Sequence, residues 1–278
     1  MNVLHTTLQN ALEQIQGVHP LLHCISNIVT ANDCANLALA IGASPIMAQE
    51  PQEMPQIAAL AKAVILNTGT PDEAKFQAAA IAGKTANQLH IPVILDPVGI
   101  GASTWRLNHI HDLLSQVHPD ILRVNLGEAK ALLGQTGTEH GVDSLESFRS
   151  TETDFCAKEL ANALHTVVLL SGEEDLVTDG IRLKRISGGS PLTRSVTGAG
   201  CMLSVLCGAF ASIETTFLEA TPESATSQPD YYSSACLAAH FWKLCAETAA
   251  QTTSTPGSFR VGLFDAAYKL SIFNETGI

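Results

Sequence analysis

Five short apolar runs, each closing on a polar or small residue, constrain the fold of this chain more than any other feature. They are Leu21–Asn27, Ala63–Asn67, Pro92–Asp96, Asp120–Asn125 and Thr166–Leu170, the last followed directly by Ser171. Helical patterns separate the later runs, near 52–61, 72–89, 106–116 and 155–164. Continuous apolar strands alternating with helices predict a mostly parallel sheet covered on both faces. In open sheets of this kind ligands bind at the carboxyl ends of the strands. Asn27, Asn67, Asp96, Asn125 and Ser171 therefore point to one shared crevice.

The flanking segments extend this α/β layout into a single domain over residues 1–278. Val3, Leu8, Leu12 and Ile15 predict an amphipathic helix over 3–16, ended by Gly17. An Ala- and Leu-rich helix follows over Ile28–Ile41, closed by Gly42, and Ser44–Ala48 reads as another strand. Residues 175–186 alternate around Asp179-Gly180, a hairpin signal that adds an antiparallel edge. Helices are predicted again at 200–218, 229–250 and 256–273. The acidic, Ser/Thr-rich stretch 138–154 reads as a mobile surface loop.

Hydrophobic residues make up 46% of the 278 and charged ones only 15%, the balance of a sizeable core and a buried subunit interface. A net charge of −12 makes nucleic acid and anionic membrane poor partners. A nucleotide is not excluded, because local N–H groups and one or two arginines outweigh total charge. Seven cysteines, an odd number without a Cys-x-x-Cys, argue against a disulfide framework or a zinc site and for reduced thiols in a cytoplasmic setting. The first ten residues carry no signal-peptide pattern, and no uninterrupted stretch reaches membrane-spanning length.

The densest chemical signal runs from Ser195 to Phe210, S-V-T-G-A-G-C-M-L-S-V-L-C-G-A-F. Gly198 and Gly200 precede an almost wholly apolar helix. Such a turn leaves free N–H groups and a partial positive charge at the helix start, which suits an anion. Gly-x-Gly before an apolar helix is also common without a phosphate. Cys201 lies in the first turn, where a helix dipole favours thiolate. Cys207, deeper in the run, reads as a small buried hydrophobe.

Other candidates carry two readings each. Asp96, in I-L-D-P-V-G, suits a phosphate-bound cation or simply caps its loop. Arg123 offers a forked phosphate donor. Asn125 and Glu128 are spaced to serve a metal and phosphate site, and equally to form a helix capping box. Ser171-Gly172 is either a nucleotide contact or an ordinary polar turn. Met47 is by default core filler, and His23 a packed strand residue. His109 and His111 are two apart on a helix and do not face each other, which argues against a metal.

The run V-T-G-A-G-C-M-L resembles the signature of hydroxyethylthiazole kinases, which have a ribokinase-like α/β/α fold. Four more matches span Leu21 to the Cys201 helix: Leu21–Asn27, Gly42–Ala48, D-P-V-G at Asp96, and the Asn125-x-x-Glu128 element. The resemblance implies phosphoryl transfer from ATP to hydroxyethylthiazole in thiamine biosynthesis, with Mg2+ held through Asp96 and Glu128. It makes Cys201 the catalytic residue, where most ribokinase-like enzymes carry Asp. Asn27, Met47 and Gly198 would bind the thiazole, and Arg123, Asn125, Ser171 and Gly200 the ATP. It also implies a homotrimer with pockets between subunits. The chain departs from the family at Ala199, where many relatives have Thr, and at Val124, where Gly is usual. Two other functions compatible with the fold are an ADP-dependent NAD(P)H-hydrate dehydratase, whose relatives carry Asp at the Cys201 position, and a thiazole-binding protein without turnover.

Overall fold

A computed structural model describes residues 3–135, 146–213 and 229–272. The chain opens with α1 (Val3–Val18), β1 (Leu21–Ile25), α2 (Ala31–Ala40), β2 (Ser44–Ile46) and α3 (Met54–Leu60). It continues through β3 (Ala63–Asn67), α4 (Glu73–Gln88), β4 (Val93–Asp96), α5 (Thr104–Leu114), β5 (Ile121–Asn125) and α6 (Leu126–Leu132). Then come α7 (Glu146–Leu164), β6 (Val167–Ser171), β7 (Asp175–Thr178) and β8 (Leu183–Ile186). Three helices finish it: α8 (Ala199–Ala211), α9 (Tyr231–Thr252) and α10 (Pro256–Ile272).

The strands form one sheet of eight in the order β2-β1-β3-β4-β5-β6-β7-β8. All pairings from β2 to β6 are parallel, and β7 and β8 add the antiparallel edge. Alternation along each strand sorts side chains between the two faces. Ala63, Ile65, Ile94, Ile121 and Leu169 join α1, α2, α8, α9 and α10 in one apolar layer. Val64, Leu66, Val93, Leu95, Leu122 and Val124 join α3 to α7 in the other. The result is the three-layer α/β/α arrangement that the alternating runs predict.

The same period decides where polar strand ends point. Asn67, Asp96, Arg123 and Ser171 share parity with Ile65, Ile94, Ile121 and Leu169, so all four face the α8 layer. Helix α8 is buried from Cys201 to Ala211, which explains its lack of a polar face. Leu206 at its centre is fully buried; Leu206→Ala costs about 2–5 kcal/mol by loss of transfer energy and cavity formation.

Several boundaries differ from the sequence expectation. The helix expected over Ile28–Ile41 begins at Ala31, because Asn27 Oδ1 accepts the Val29 N–H at 3.0 Å and holds a turn first. The expected loop 138–154 is helical from Glu146 onward, as the start of α7. Lys130 pairs with Glu152 at 2.7 Å, and Cys156, Ala157, Leu160 and Ala161 bury one stripe of that helix, so its polar composition misleads. Residues 138–145 of that loop, and 214–218 of the helix expected over 200–218, lie outside the described residues. The Asp179-Gly180 turn joins β7 to β8, with Asp179 Oδ1 accepting the N–H groups of Ile181 and Arg182.

Candidate active site

Gly198 caps the start of helix α8, and its φ of +83° is open to glycine at little cost. A Cβ there would lie 2.4 Å from Thr30 Cγ2, so the residue also has to be small. The first internal bond of the helix runs from the Met202 N–H to the Gly198 carbonyl at 2.8 Å. The N–H groups of Ala199, Gly200 and Cys201 therefore lie ahead of the ladder, at the positive end of the dipole.

Arg123 comes up from β5 to meet this helix tip. Its guanidinium lies so close to Gly200 that a Cβ there would stand 2.3 Å from Nη2. Nη1 is 3.3 Å from Asp96 Oδ1, and Nη2 donates to Ser171 Oγ at 2.6 Å. Asp96 is fully buried and accepts two further bonds on Oδ2, from Asn67 Nδ2 at 2.9 Å and Ser204 Oγ at 2.7 Å. Three strands and α8 are thus tied through one carboxylate. Burial opposes the charge on Arg123, but the Asp96 and Glu128 carboxylates outweigh it and hold the guanidinium protonated.

A cavity of about 430 Å³ opens beside this cluster. Arg123, Ser171 and Gly200 line it together with Trp242, Lys243 and Ala246. Its size fits a small organic ligand, and its Arg and helix-tip lining suits that ligand's anionic part.

Cys201 is 6% exposed. Burial pushes its thiol up, and the Asp96 carboxylate adds to that; Thr30, Asn67 and Arg123 pull the other way without prevailing. The helix dipole does not give a thiolate here, because desolvation is the larger effect. Thr30 also touches Gly198, so the sulfur belongs to the side of the helix tip turned toward the β1–α2 turn. Asn27 lies in that turn, with its side chain 2.5 Å from where a Cβ on Gly69 would be.

Glu128 and Asn125 form a full capping box on α6. Glu128 Oε2 accepts the Asn125 N–H and Oε1 the Gly99 N–H, each at 2.9 Å. Burial is the main cause that pushes the Glu128 carboxyl up, and neighbouring Asp96 adds to it; Arg123 and the two N–H groups oppose it. The capping role and proximity to Arg123 are thus both present. Asn125 is exposed and pairs in register with Ser171. Met47 follows the edge strand β2, half-buried against the α8 layer. The structure brings Asp96, Arg123, Ser171, Gly200 and Cys201 together around one helix tip.

Five further residues were not singled out by sequence: Thr30, Lys75, Ser204, Asp175 and Lys243. All five are buried; Thr30, Lys75, Ser204 and Lys243 each stand between apolar residues, the one signal that marked them, while Asp175 follows two glutamates. His109 stacks on Trp105 and Phe76, with centroids 4.1 and 4.9 Å away, and among the described residues no group of three His, Cys, Asp or Glu is arranged to hold a metal.

A parallel α/β/α core with its polar site at the carboxyl ends of the strands, beneath a Gly-started helix, defines a ribokinase-like fold. A ribokinase-like superfamily protein from Enterococcus faecalis superimposes with a TM-score of 0.63 over 94% of each chain, at 12% identity. Residues 12–273 match the sequence profile of the hydroxyethylthiazole kinase family, and the chain belongs to that family. It is 39% identical to a hydroxyethylthiazole kinase of Lysinibacillus sphaericus over 93% of this chain and 95% of the relative. The solved hydroxyethylthiazole kinase of Pyrococcus horikoshii superimposes with a TM-score of 0.82 at 33% identity, covering 95% of this chain and 93% of the other.

Proposed function

We propose that this chain transfers the γ-phosphoryl group of ATP to the primary hydroxyl of 5-(2-hydroxyethyl)-4-methylthiazole, releasing ADP, the phosphate monoester and a proton, as a step of thiamine biosynthesis or salvage. The observation that carries this reading is the α8 tip. It presents Gly200 and Arg123 to the 430 Å³ cavity on one side and Cys201 to the Asn27 turn on the other. A donor phosphate and an acceptor alcohol have one place to meet, at the free N–H groups between them.

Phosphoryl transfer needs positioning and charge stabilisation more than covalent help. The N–H groups of Ala199, Gly200 and Cys201 receive the charge that builds on the transferring group. Arg123, locked by Asp96 and Ser171, supplies a fixed positive charge next to them without reorganising. Cys201 is a thiol, so its part is to orient the alcohol; the hydroxyl proton leaves as the new P–O bond forms. In the thiazole pocket we place Asn27, Met47 and Gly198; along the nucleotide we place Ser171 and Asn125.

The oxygen donors Asp96 and Glu128 fit a hydrated Mg2+, because both carboxylates act on the same Arg123 and each retains lone pairs beyond its present bonds. Bound there with ATP, the ion would neutralise phosphate charge. Ile28 and Val29, 77% and 61% exposed next to Asn27, support a homotrimer in which a neighbouring subunit covers the acceptor pocket. Free thiols at all seven cysteines support a reducing compartment such as the cytoplasm. Among the described residues no helix is long and apolar enough to cross a membrane.

Phosphorus NMR of a reaction with ATP, Mg2+ and the thiazole alcohol tests the reading. A new phosphomonoester resonance growing with ADP supports it; ligand binding without that resonance favours a non-catalytic thiazole-binding protein.

A further inference from the structure

Two buried lysines lie outside the residues that the proposed reaction uses. Lys75 on α4 is 6% exposed, and Lys243 on α9 is 8% exposed. An ammonium that deep is costly unless its three protons all find acceptors. Both lysines meet that condition on the strand-end loops, one on each side of the α8 tip.

Lys75 Nζ donates to the carbonyls of Ser26 and Gly69, each at 2.8 Å, and to Thr70 Oγ1 at 3.3 Å. It thereby joins the β1–α2 turn, which carries Asn27 and Thr30, to the β3–α4 loop. Thr70 Oγ1 also accepts the Ile28 N–H at 3.2 Å, a second tie between the same segments. Thr70 holds φ at +48°, a left-handed conformation costly for a β-branched residue, and it persists here under these bonds. Burial lowers the basicity of Lys75, against the pull of Asp72 and Cys201, so its ion depends on the acceptors around it.

Lys243 Nζ donates to the carbonyls of Gly172 and Glu173, at 3.2 and 2.8 Å, and lies 3.3 Å from Asp175 Oδ1. That carboxylate oxygen also accepts the Gly172 N–H at 2.9 Å. The turn that follows Ser171 is thus closed on both sides, and Ser171 holds Arg123 at the nucleotide cavity.

We propose that Lys75 and Lys243 are positioning residues, one for each substrate: Lys75 sets the turn that receives the acceptor alcohol, and Lys243 sets the turn that holds the nucleotide phosphates. With every proton engaged by the loops, neither lysine serves as a phosphate ligand itself. Their effects are separable because each touches the loops of one side only. The inference rests on the function proposed above and names which residues set each Michaelis constant.

The test is steady-state kinetics on Lys75→Met and Lys243→Met with each substrate varied. Lys75→Met raises KM for hydroxyethylthiazole about tenfold and leaves KM for ATP within about twofold, the size of effect expected when buried acceptors lose a donor. Lys243→Met does the reverse. Equal changes in both constants, or none, overturn the proposal. If either Met variant fails to fold, Thr70→Ala and Asp175→Ala, which each remove part of one lysine's acceptor set, decide it by the same criterion. A wild type that does not phosphorylate the alcohol overturns the function but not this assignment. Calorimetric Kd values for the alcohol and for a non-hydrolysable ATP analogue then show the same crossed pattern, and a wild type that binds neither overturns both.

Discussion

Arg123 and Asp96 lie side by side on neighbouring strands, 3.3 Å apart, and both are buried. A carboxylate held this way is first a partner for the guanidinium. Asp96→Asn leaves the buried Arg123 charge without its nearest carboxylate, with Glu128 alone to oppose it, where Nε already lacks a hydrogen-bond partner. The variant loses about 3–5 kcal/mol, the cost of breaking one side of a buried pair. Urea unfolding followed by circular dichroism checks this; an unchanged midpoint would show that the pair contributes nothing to the fold.

Gly200 is small because Arg123 leaves no room for more. In Gly200→Ala the new methyl, at 2.3–2.4 Å from three guanidinium atoms, displaces a group tethered to both Asp96 and Ser171. The account predicts a fall in kcat/KM for ATP on the order of a hundredfold, as for loss of one preorganised donor to developing charge. Initial rates at varied ATP measure it, with the melting temperature as the control for folding.

Cys201 behaves as a thiol at neutral pH. Its ionisation is pushed above that of an ordinary cysteine, so at any given pH below that point its thiolate fraction is smaller in the folded protein than in the unfolded chain. Alkylation by iodoacetamide, mapped by mass spectrometry, is accordingly slower at Cys201 in the native state than in urea, and accelerates only as pH rises past the usual thiol range. Cys201→Asp keeps turnover within about tenfold of wild type or raises it, because proton removal is a small part of a loose transition state. Loss of turnover in folded Cys201→Asp contradicts the orienting role assigned to this position.

Glu128 differs from Asp96 in being slightly exposed, 7% against none. Glu128→Gln removes the charge and one of the two oxygens that accept the Asn125 and Gly99 N–H groups, so the Mg2+ concentration for half-maximal rate rises and the unfolding midpoint falls as one N–H loses its acceptor. Titration of activity with Mg2+ reads this directly. Unchanged metal dependence takes Glu128 out of the site.

Much of the fold was legible because the period of an apolar strand is short and local. Asn67, Asp96 and Ser171 could be placed at strand ends from their neighbours alone, and the crevice followed. The start of α7 was not legible: its N-terminal half is rich in polar residues, and two of them, Glu152 and Asp154, pair with Lys130 of α6 and Arg185 of β8, which no local pattern reveals. Lys75 and Lys243 were missed for the same reason. Lys75 reaches the Ser26 carbonyl 49 residues away, besides its local acceptors Gly69 and Thr70, and Lys243 reaches the Gly172 carbonyl 71 residues away; only the folded chain makes these ties. Asp96 was found but half understood, since Ser204, 108 residues on, gives it a structural part that no local pattern reveals.

The central claim is that this helix tip serves one particular alcohol. It is tested most directly by ADP release with ATP, Mg2+ and, in separate reactions, hydroxyethylthiazole, pyridoxal, hydroxymethylpyrimidine and NADH hydrate. The account predicts that kcat/KM for hydroxyethylthiazole exceeds that for each other alcohol by at least about a hundredfold, the discrimination a shaped pocket with polar anchors reaches, and that NADH hydrate is not converted. Faster phosphorylation of pyridoxal or hydroxymethylpyrimidine, or conversion of NADH hydrate, would contradict it.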